Sequence, residues 1–328
     1  MKAIQLRQFG SPDNFYIAEY DTPQPNAYEI QVKVTATALN RADTLQRMGK
    51  YPPPQGASPI LGLEMSGTVS KLGSEVSKWK IGDKVCALLS GGGYAEYVTI
   101  HENLAASIPS NLTLLESAAI PEVFLTAYQA LIWLAQLQQG ESILIHAGAS
   151  GVGTAAIQIA REKGAKVYIT ASKSKHSICL QLGASKAIDY KAENFEEVVL
   201  KETDGKGVDV VLDFLAAPYF QKNLNCLAVD GRMVMLALMG GIKVENLNVA
   251  PILQKRLKIM GSTLRSRTLE YKVQLTHDFW EFAHELFVEK RLQPVVDSTF
   301  NWSDVAEAHQ YMEANKNKGK VLLKVSGD

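Results

Sequence analysis

The run His146-Ala-Gly-Ala-Ser-Gly-Val-Gly-Thr154 constrains the chain more than any other segment. It follows a short apolar run, Ser142 to His146 (SILIH), and opens a stretch from Gly153 to Lys163 with apolar residues at helical spacing. A strand that passes through glycines into a helix is the entry to a βα unit. Gly148, Gly151 and Gly153 take the first, fourth and sixth places of a six-residue dinucleotide fingerprint, and Ser150 stands where that fingerprint has its second glycine. Glycines let the backbone turn tightly and approach a pyrophosphate. The N–H groups that open the helix, Val152 among them, then face the phosphates with the helix dipole behind them. The same glycines could serve packing alone, but the strand, helix and following strand are all in place and favour a dinucleotide.

Beyond this turn, strands and helices alternate. Lys166 to Ala171 reads as a strand, and Ser174 to Leu182 as a helix stopped by Gly183. Lys186–Tyr190, Val208–Asp213, Arg232–Ala237 and Lys258–Ser262 read as further strands. Repeated βα units predict a parallel, doubly wound sheet with helices on both faces. Before about residue 120 the pattern is different. Ala3–Arg7, Glu29–Val34 and Tyr94–Ile100 have strand periodicity, and glycines and prolines interrupt closely, as in an irregular antiparallel barrel. After about 263 the alternation stops; a helix over 269–289 and a strand over Lys320–Val325 remain. The expected organisation is α/β, with a catalytic domain over 1–120, a nucleotide domain over 121–262, and a segment over 263–328 that returns to the first domain, leaving a cleft between two lobes.

Composition removes several classes of function. Lys plus Arg and Asp plus Glu are both 34 among 328 residues, so no charge footprint marks nucleic acid as the main ligand. Cys86, Cys179 and Cys226 form no CxxC pair, which argues against a disulfide scaffold and for a reduced, cytoplasmic setting. The opening residues lack the apolar core of a secretion signal. The most apolar stretch, 118–135, contains Pro121, Glu122 and Gln129 and reads as buried chain, not as a membrane span.

The kind of dinucleotide is legible too. An NAD site places Asp or Glu about 20 residues past the glycines, on the ribose hydroxyls. No acid occurs from Lys163 to Ile188, a stretch that holds five lysines. Ser172 and Lys175 stand at the end of the second strand and could bind a 2′-phosphate, so NADPH is expected. Tyr190, at the end of the third strand, could pack beside the adenosine phosphate or cap the sheet. Leu215, Leu238, Met239 and Gly241 follow the fourth and fifth strands, where ligands bind in such sheets, though loop packing would also account for them.

Further motifs carry a resemblance: Leu39-Asn-Arg-Ala-Asp43, Gly49-Lys-Tyr-Pro-Pro-Pro54, Leu61-Gly-Leu-Glu-Met-Ser-Gly67, Ile81-Gly-Asp83, the turn at 146–153, and Tyr311-Met-Glu-Ala-Asn-Lys-Asn-Lys-Gly-Lys320. Together they make the chain similar to the zinc-independent quinone oxidoreductases of the medium-chain dehydrogenase/reductase superfamily, over nearly its whole length. The resemblance implies a GroES-like β-barrel lobe, a Rossmann lobe, NADPH and a homodimer. It also implies that Tyr51 and Asn40 face the nicotinamide and can donate hydrogen bonds to a quinone oxygen, although Tyr51 could be a packing aromatic and Asn40 a turn residue. Thr126 matches the threonine at the nicotinamide end, and Thr263, Leu264 and Asn315 match cofactor-contacting positions less securely. Lys320 would be at most a phosphate or cleft contact.

Zinc-dependent relatives hold their catalytic metal with Cys, the His of a Gly-His-Glu string, and a later Cys or acid. Here those positions read Asn40, Leu63 and the Pro121-Glu122-Val123 region. Zinc sites want several N or S ligands, so no metal is expected, and Glu64 should make a structural hydrogen bond or salt bridge. The leading expectation is an NADPH-dependent quinone reductase. A reductase of enones or enoyl thioesters is the alternative, and a non-enzymatic role such as nucleotide-gated RNA binding or a lens-type structural protein is a more distant one.

Overall fold

A computed structural model describes residues 1–326. The chain builds a first unit from Met1–Leu125, leaves it for a second unit over Thr126–Thr263, and returns to the first from Leu264 onward.

In the first unit β1 (Lys2–Leu6) pairs antiparallel with β2 (Phe15–Glu19). β3 (Glu29–Ala38) is the longest strand and organises the rest. Its inward residues Ile30, Val32 and Val34 are fully buried against Met65, Val69, Val85, Val98 and Ile100, which fixes its register. α1 (Arg41–Arg47) follows it directly. β3 pairs antiparallel with β4 (Glu64–Leu72) and with β6 (Tyr97–His101). β5 (Lys84–Leu88) extends the sheet from β4, and β7 (Ala105–Ser107) extends it from β5. The helices α2 (Leu114–Ser117) and α3 (Pro121–Tyr128) end this pass.

The second unit alternates β8 (Ser142–Ile145), α4 (Gly151–Glu162), β9 (Lys166–Ala171), α5 (His176–Gln181), β10 (Lys186–Asp189), α6 (Phe195–Glu202), β11 (Val208–Asp213), α7 (Phe220–Cys226), β12 (Leu227–Met235), α8 (Ala250–Gln254) and β13 (Lys258–Gly261). Every pairing is parallel, in the order β10-β9-β8-β11-β12-β13. The order in which strands are added therefore reverses between β8 and β11, and the carboxyl ends there are the ligand-binding edge of a doubly wound sheet.

On its return the chain forms α9 (Leu269–Val288), β14 (Val296–Asn301), α10 (Val305–Glu313) and β15 (Lys320–Lys324). β15 lies antiparallel to β3 and parallel to β14, completing a seven-stranded sheet.

The sequence missed β2, β4, β5, β7 and β14, and the helices α1, α2 and α10. β2 and β14 have no fully buried face, so their alternation is weak. The strand expected from Tyr94 begins at Tyr97. Tyr94 and Ala95 are fully buried instead, joined to β1 through the Ile4 N–H to Tyr94 C=O bond at 2.9 Å. β12 begins at Leu227, before the expected start at Arg232; its pairing with β11 shifts register between Leu227 and Arg232, and Asp230 within that stretch takes a positive φ of 62°. The apolar stretch at 118–135 ends in a π-helical turn, Gln129–Leu134. Among the described residues no helix is long and apolar enough to cross a membrane.

Candidate functional site

In the second unit, the glycine turn is shaped by close approaches. A Cβ on Gly148 would come within 2.7 Å of the Ile169 Cβ on β9, and one on Gly153 would collide with the Ala147 carbonyl oxygen. Ser150 caps α4, its Oγ accepting the Gly153 N–H at 3.1 Å. That hydroxyl thus serves its own helix, while the first-turn amides of Gly151 and Val152 have no intrahelical acceptor. His146 lies beneath, fully buried, bonded to Thr170 Oγ1 at 3.0 Å and Asn223 Oδ1 at 2.7 Å, a structural role.

Ala171 pairs with Asp189, so Ser172 and Tyr190 leave β9 and β10 at the same level. Ser172 opens a short 3-10 turn, Lys173–Lys175, and Tyr190 is 46% exposed. Across the switch point, Asp213 accepts the N–H groups of Leu215 and Ala216 at 2.8 and 3.1 Å. The loops after β11 and β12 are laced together by Met239 N–H to Phe214 C=O and Gly240 N–H to Leu215 C=O. Leu215, Leu238, Met239 and Gly241 therefore gather at one edge. Thr126 belongs to the same unit, and its Oγ1 is shielded from solvent without a hydrogen-bond partner. Thr263 ends this unit just beyond β13. Leu264 and Asn315 belong to the first unit. Leu264 is buried there, and Asn315 Oδ1 accepts from Arg41 at 2.5 Å, tying α1 to α10.

In the first unit an ion pair lies inside the protein. Lys320 Nζ is 2.7 Å from Glu64 Oε1, and the two residues are 3% and 0% exposed. Asn40 brackets the pair, with Nδ2 donating to Glu64 Oε1 at 2.9 Å and to the Ala38 carbonyl at 3.2 Å, and Oδ1 accepting from Lys320 at 2.6 Å. Glu64 Oε2 accepts the Glu122 backbone N–H at 2.9 Å. Asp43 takes the N–H groups of Asn40 and Gly62 at 2.8 and 3.1 Å; burial raises its carboxyl to about 6 against those bonds and Lys320, with Glu64 adding to the rise.

Two sequence expectations are corrected here. Asn40 is not a donor held ready for an acceptor, because both ends of its amide hold the ion pair. Lys320 is not a phosphate or cleft contact, because its ammonium is internal. Glu64 does form the expected structural salt bridge.

Tyr51 is half-buried. The Arg265 guanidinium lies over its ring, 5.3 Å from the centroid. Arg265 is itself 6% exposed; Nε donates to the Ser90 carbonyl at 2.9 Å, Nη2 donates to Gln46 at 2.7 Å, and Nη1 has no partner. Lys272, also buried, donates to Ser90 Oγ at 2.9 Å. Burial raises the Tyr51 hydroxyl above its ordinary value; Arg265 pulls it down and Glu122 pushes it up. It is a neutral donor at physiological pH. Arg265 and Lys272 were not read from the sequence, where each is one cation among 34.

Glycine turn, doubly wound sheet and GroES-like strand order define the class: the chain belongs to the medium-chain dehydrogenase/reductase superfamily and is an oxidoreductase of that family. Residues 26–110 match the alcohol dehydrogenase GroES-like domain, and residues 151–280 match the zinc-binding dehydrogenase family. Human quinone oxidoreductase is 31% identical, over 98% of this chain and 97% of its own length. A mycocerosic acid synthase-like polyketide synthase of Mycobacterium tuberculosis is also 31% identical over 98% of the chain, which spans only 15% of that protein. Three solved structures align over 99% of this chain. They are an NAD-dependent alcohol dehydrogenase (TM-score 0.89, 31% identity, all of that chain), Escherichia coli quinone oxidoreductase complexed with NADPH (0.88, 30%, all of that chain), and CurK enoyl reductase (0.87, 30%, 99% of that chain).

The residues fit a nicotinamide dinucleotide: the packed glycine turn, the open amides of Gly151 and Val152, and the orphaned Thr126 hydroxyl are what such a group requires. They do not fit a catalytic zinc. Leu63 is apolar and buried, Asn40 is fully engaged, and the Lys320 ammonium already neutralises Glu64. The group of potential metal ligands among the described residues, His277, Asp278 and Glu281, lies on the outer side of α9 with two of the three exposed.

Removing one partner of a buried pair strands the other charge, at about 3 to 5 kcal/mol. Lys320→Ala should cost that much in denaturant unfolding. Lys320→Met combined with Glu64→Gln should cost clearly less than the single change. A Lys320→Ala protein as stable as wild type would contradict the pairing.

Proposed function

We propose that the chain is an NADPH-dependent reductase that works without metal, with quinones as its principal acceptors. The observation that carries this reading is the Lys320–Glu64–Asn40 cluster, in which Asn40, at a position where zinc-dependent relatives have a ligand, is committed to a buried ion pair. Oxidation of a simple alcohol needs a Lewis acid or strong base at the oxygen, whereas a conjugated acceptor delocalises the charge it receives. When bound, the nicotinamide supplies hydride. The chain's own residues then have three tasks: to hold the dinucleotide at the glycine turn, to read its 2′-phosphate, and to stabilise charge on the acceptor.

We assign the phosphate to Ser172 and Lys175, with Tyr190 beside them. One charge-assisted hydrogen bond is worth about 1.5 to 3 kcal/mol, and about 1.4 kcal/mol is tenfold in affinity. Lys175→Ala should raise the NADPH KM about tenfold or more and leave NADH kinetics nearly unchanged. An equal effect on both cofactors would remove Lys175 from this role.

We assign the acceptor oxygen to Tyr51, with the Arg265 guanidinium over its ring. Tyr51→Phe keeps the ring, so NADPH affinity should hold while quinone turnover falls by about 3 to 30-fold, less than the ~100-fold of a strongly dependent enzyme. Wild-type turnover should persist in the same assay after exhaustive chelation. If Tyr51→Phe matches wild type while Tyr51→Ala fails, Tyr51 is a packing aromatic.

The open edge of the second sheet, β13, is where we place a homodimer contact. A monomer in sedimentation velocity at micromolar concentration would overturn it.

A further inference from the structure

Glu122 is the second residue of α3, and its backbone N–H is held by Glu64 Oε2. Its own carboxyl is different from those of its neighbours. Glu64 is paired with Lys320 and Asn40, and Asp43 is bound by two backbone amides, but the Glu122 carboxyl is half-buried and makes no hydrogen bond among the described residues. The groups that act on it come from all the surrounding elements: Glu64 of β4, Asp43 of α1, Lys320 of β15, and Arg265 just before α9. It acts in turn on Tyr51 and on Lys272. Arg265, one of the charges that act on this carboxyl, is nine-tenths buried with Nη1 unpartnered.

We propose that Glu122 is the general acid of this site, and that it equips the protein to reduce enones as well as quinones; the inference rests on the reductase reading above. A quinone that has gained hydride becomes a delocalised phenolate, which water protonates readily. An enone that has gained hydride becomes an enolate, which must receive a proton at its α-carbon. In that step the Glu122 O–H bond breaks. Its proton passes to the α-carbon, the enolate electron pair becomes the new C–H bond, and Glu122 is left as carboxylate. Lys320 and Arg265 offset that charge, and solvent returns the proton through the exposed side of the residue. Enone, hydride and proton thus sum to the saturated ketone.

The chemistry needs an acid still protonated near neutrality. Burial is the largest influence on Glu122, Glu64 adds to it, and Lys320 and Arg265 oppose; the carboxyl is raised to about 8. Deprotonation above that pH removes the donor, so enone turnover should fall there.

The test compares wild type, Glu122→Gln and Glu122→Asp with NADPH, using 1,2-naphthoquinone and 2-cyclohexenone as acceptors. Glu122→Gln should lower kcat/KM for the enone about 100-fold, at the low end of general acid catalysis. It should lower the quinone value at least tenfold less than the enone value and abolish the fall in enone rate above pH 8. Glu122→Asp should restore part of the enone rate. The free protein gives a second readout. Its pH-difference infrared spectrum should show a protonated carboxyl band lost near pH 8 in wild type and missing in Glu122→Gln. Equal losses on both acceptors, no loss on either, or no such band would overturn the proposal. A wild type that reduces neither acceptor would instead overturn the reductase reading, and this inference with it.

Discussion

The buried contact between Lys320 and Glu64 holds the first unit together. It joins β15, the last strand, to β4 from the first pass of the chain. Asn40 extends it to the start of α1, and the Glu122 amide extends it to the start of α3. Two charges out of water are tolerated only because nearly every lone pair and proton finds a partner. Lys320 donates to Leu39 C=O at 2.7 Å as well as to Asn40 and Glu64. Such a network adds little net stability against an apolar core, but breaking it is costly, so it specifies one arrangement. Its by-product is an acid, Glu122, placed at the network's margin with no partner of its own.

The second unit rests on steric fit instead of charge. Its glycines sit where a Cβ would strike Ile169 or the Ala147 carbonyl, so strand and helix meet closely and the helix amides open outward. His146 and Asp213 stay internal and shape the loops around them. The two units are built on different physical terms: close backbone packing around glycines in one, buried side-chain charges in the other.

Much of the second unit was legible from sequence because its signals are local. A strand, three spaced glycines and a helix lie within about 20 residues, the span of one βα turn. The first unit's chemistry was less legible because it is assembled over long separations. Lys320 meets Glu64 across most of the chain, and nothing in the text around Lys320 distinguishes it from a surface lysine. Arg265 and Lys272 were hidden for the same reason. Asn40 was noticed for its position, but its partners Glu64 and Lys320 come from elsewhere and leave it no donor to offer. Glu122 was read only as a remnant of a lost ligand set; its isolation from other hydrogen-bonding groups is a property of the fold alone.

The discontinuity of the first unit has a consequence for biogenesis. A ribosome emits residues 126–263 as one uninterrupted piece, while β15 follows only after it. Domains fold as they emerge, so the second unit can reach its native state while the first still lacks its closing strand. Until then Glu64 has no ammonium beside it, and a carboxylate without a counter-charge resists burial. Arrival of Lys320 therefore acts as a completion signal: the interior of the first unit can dry only after the whole second unit has been made.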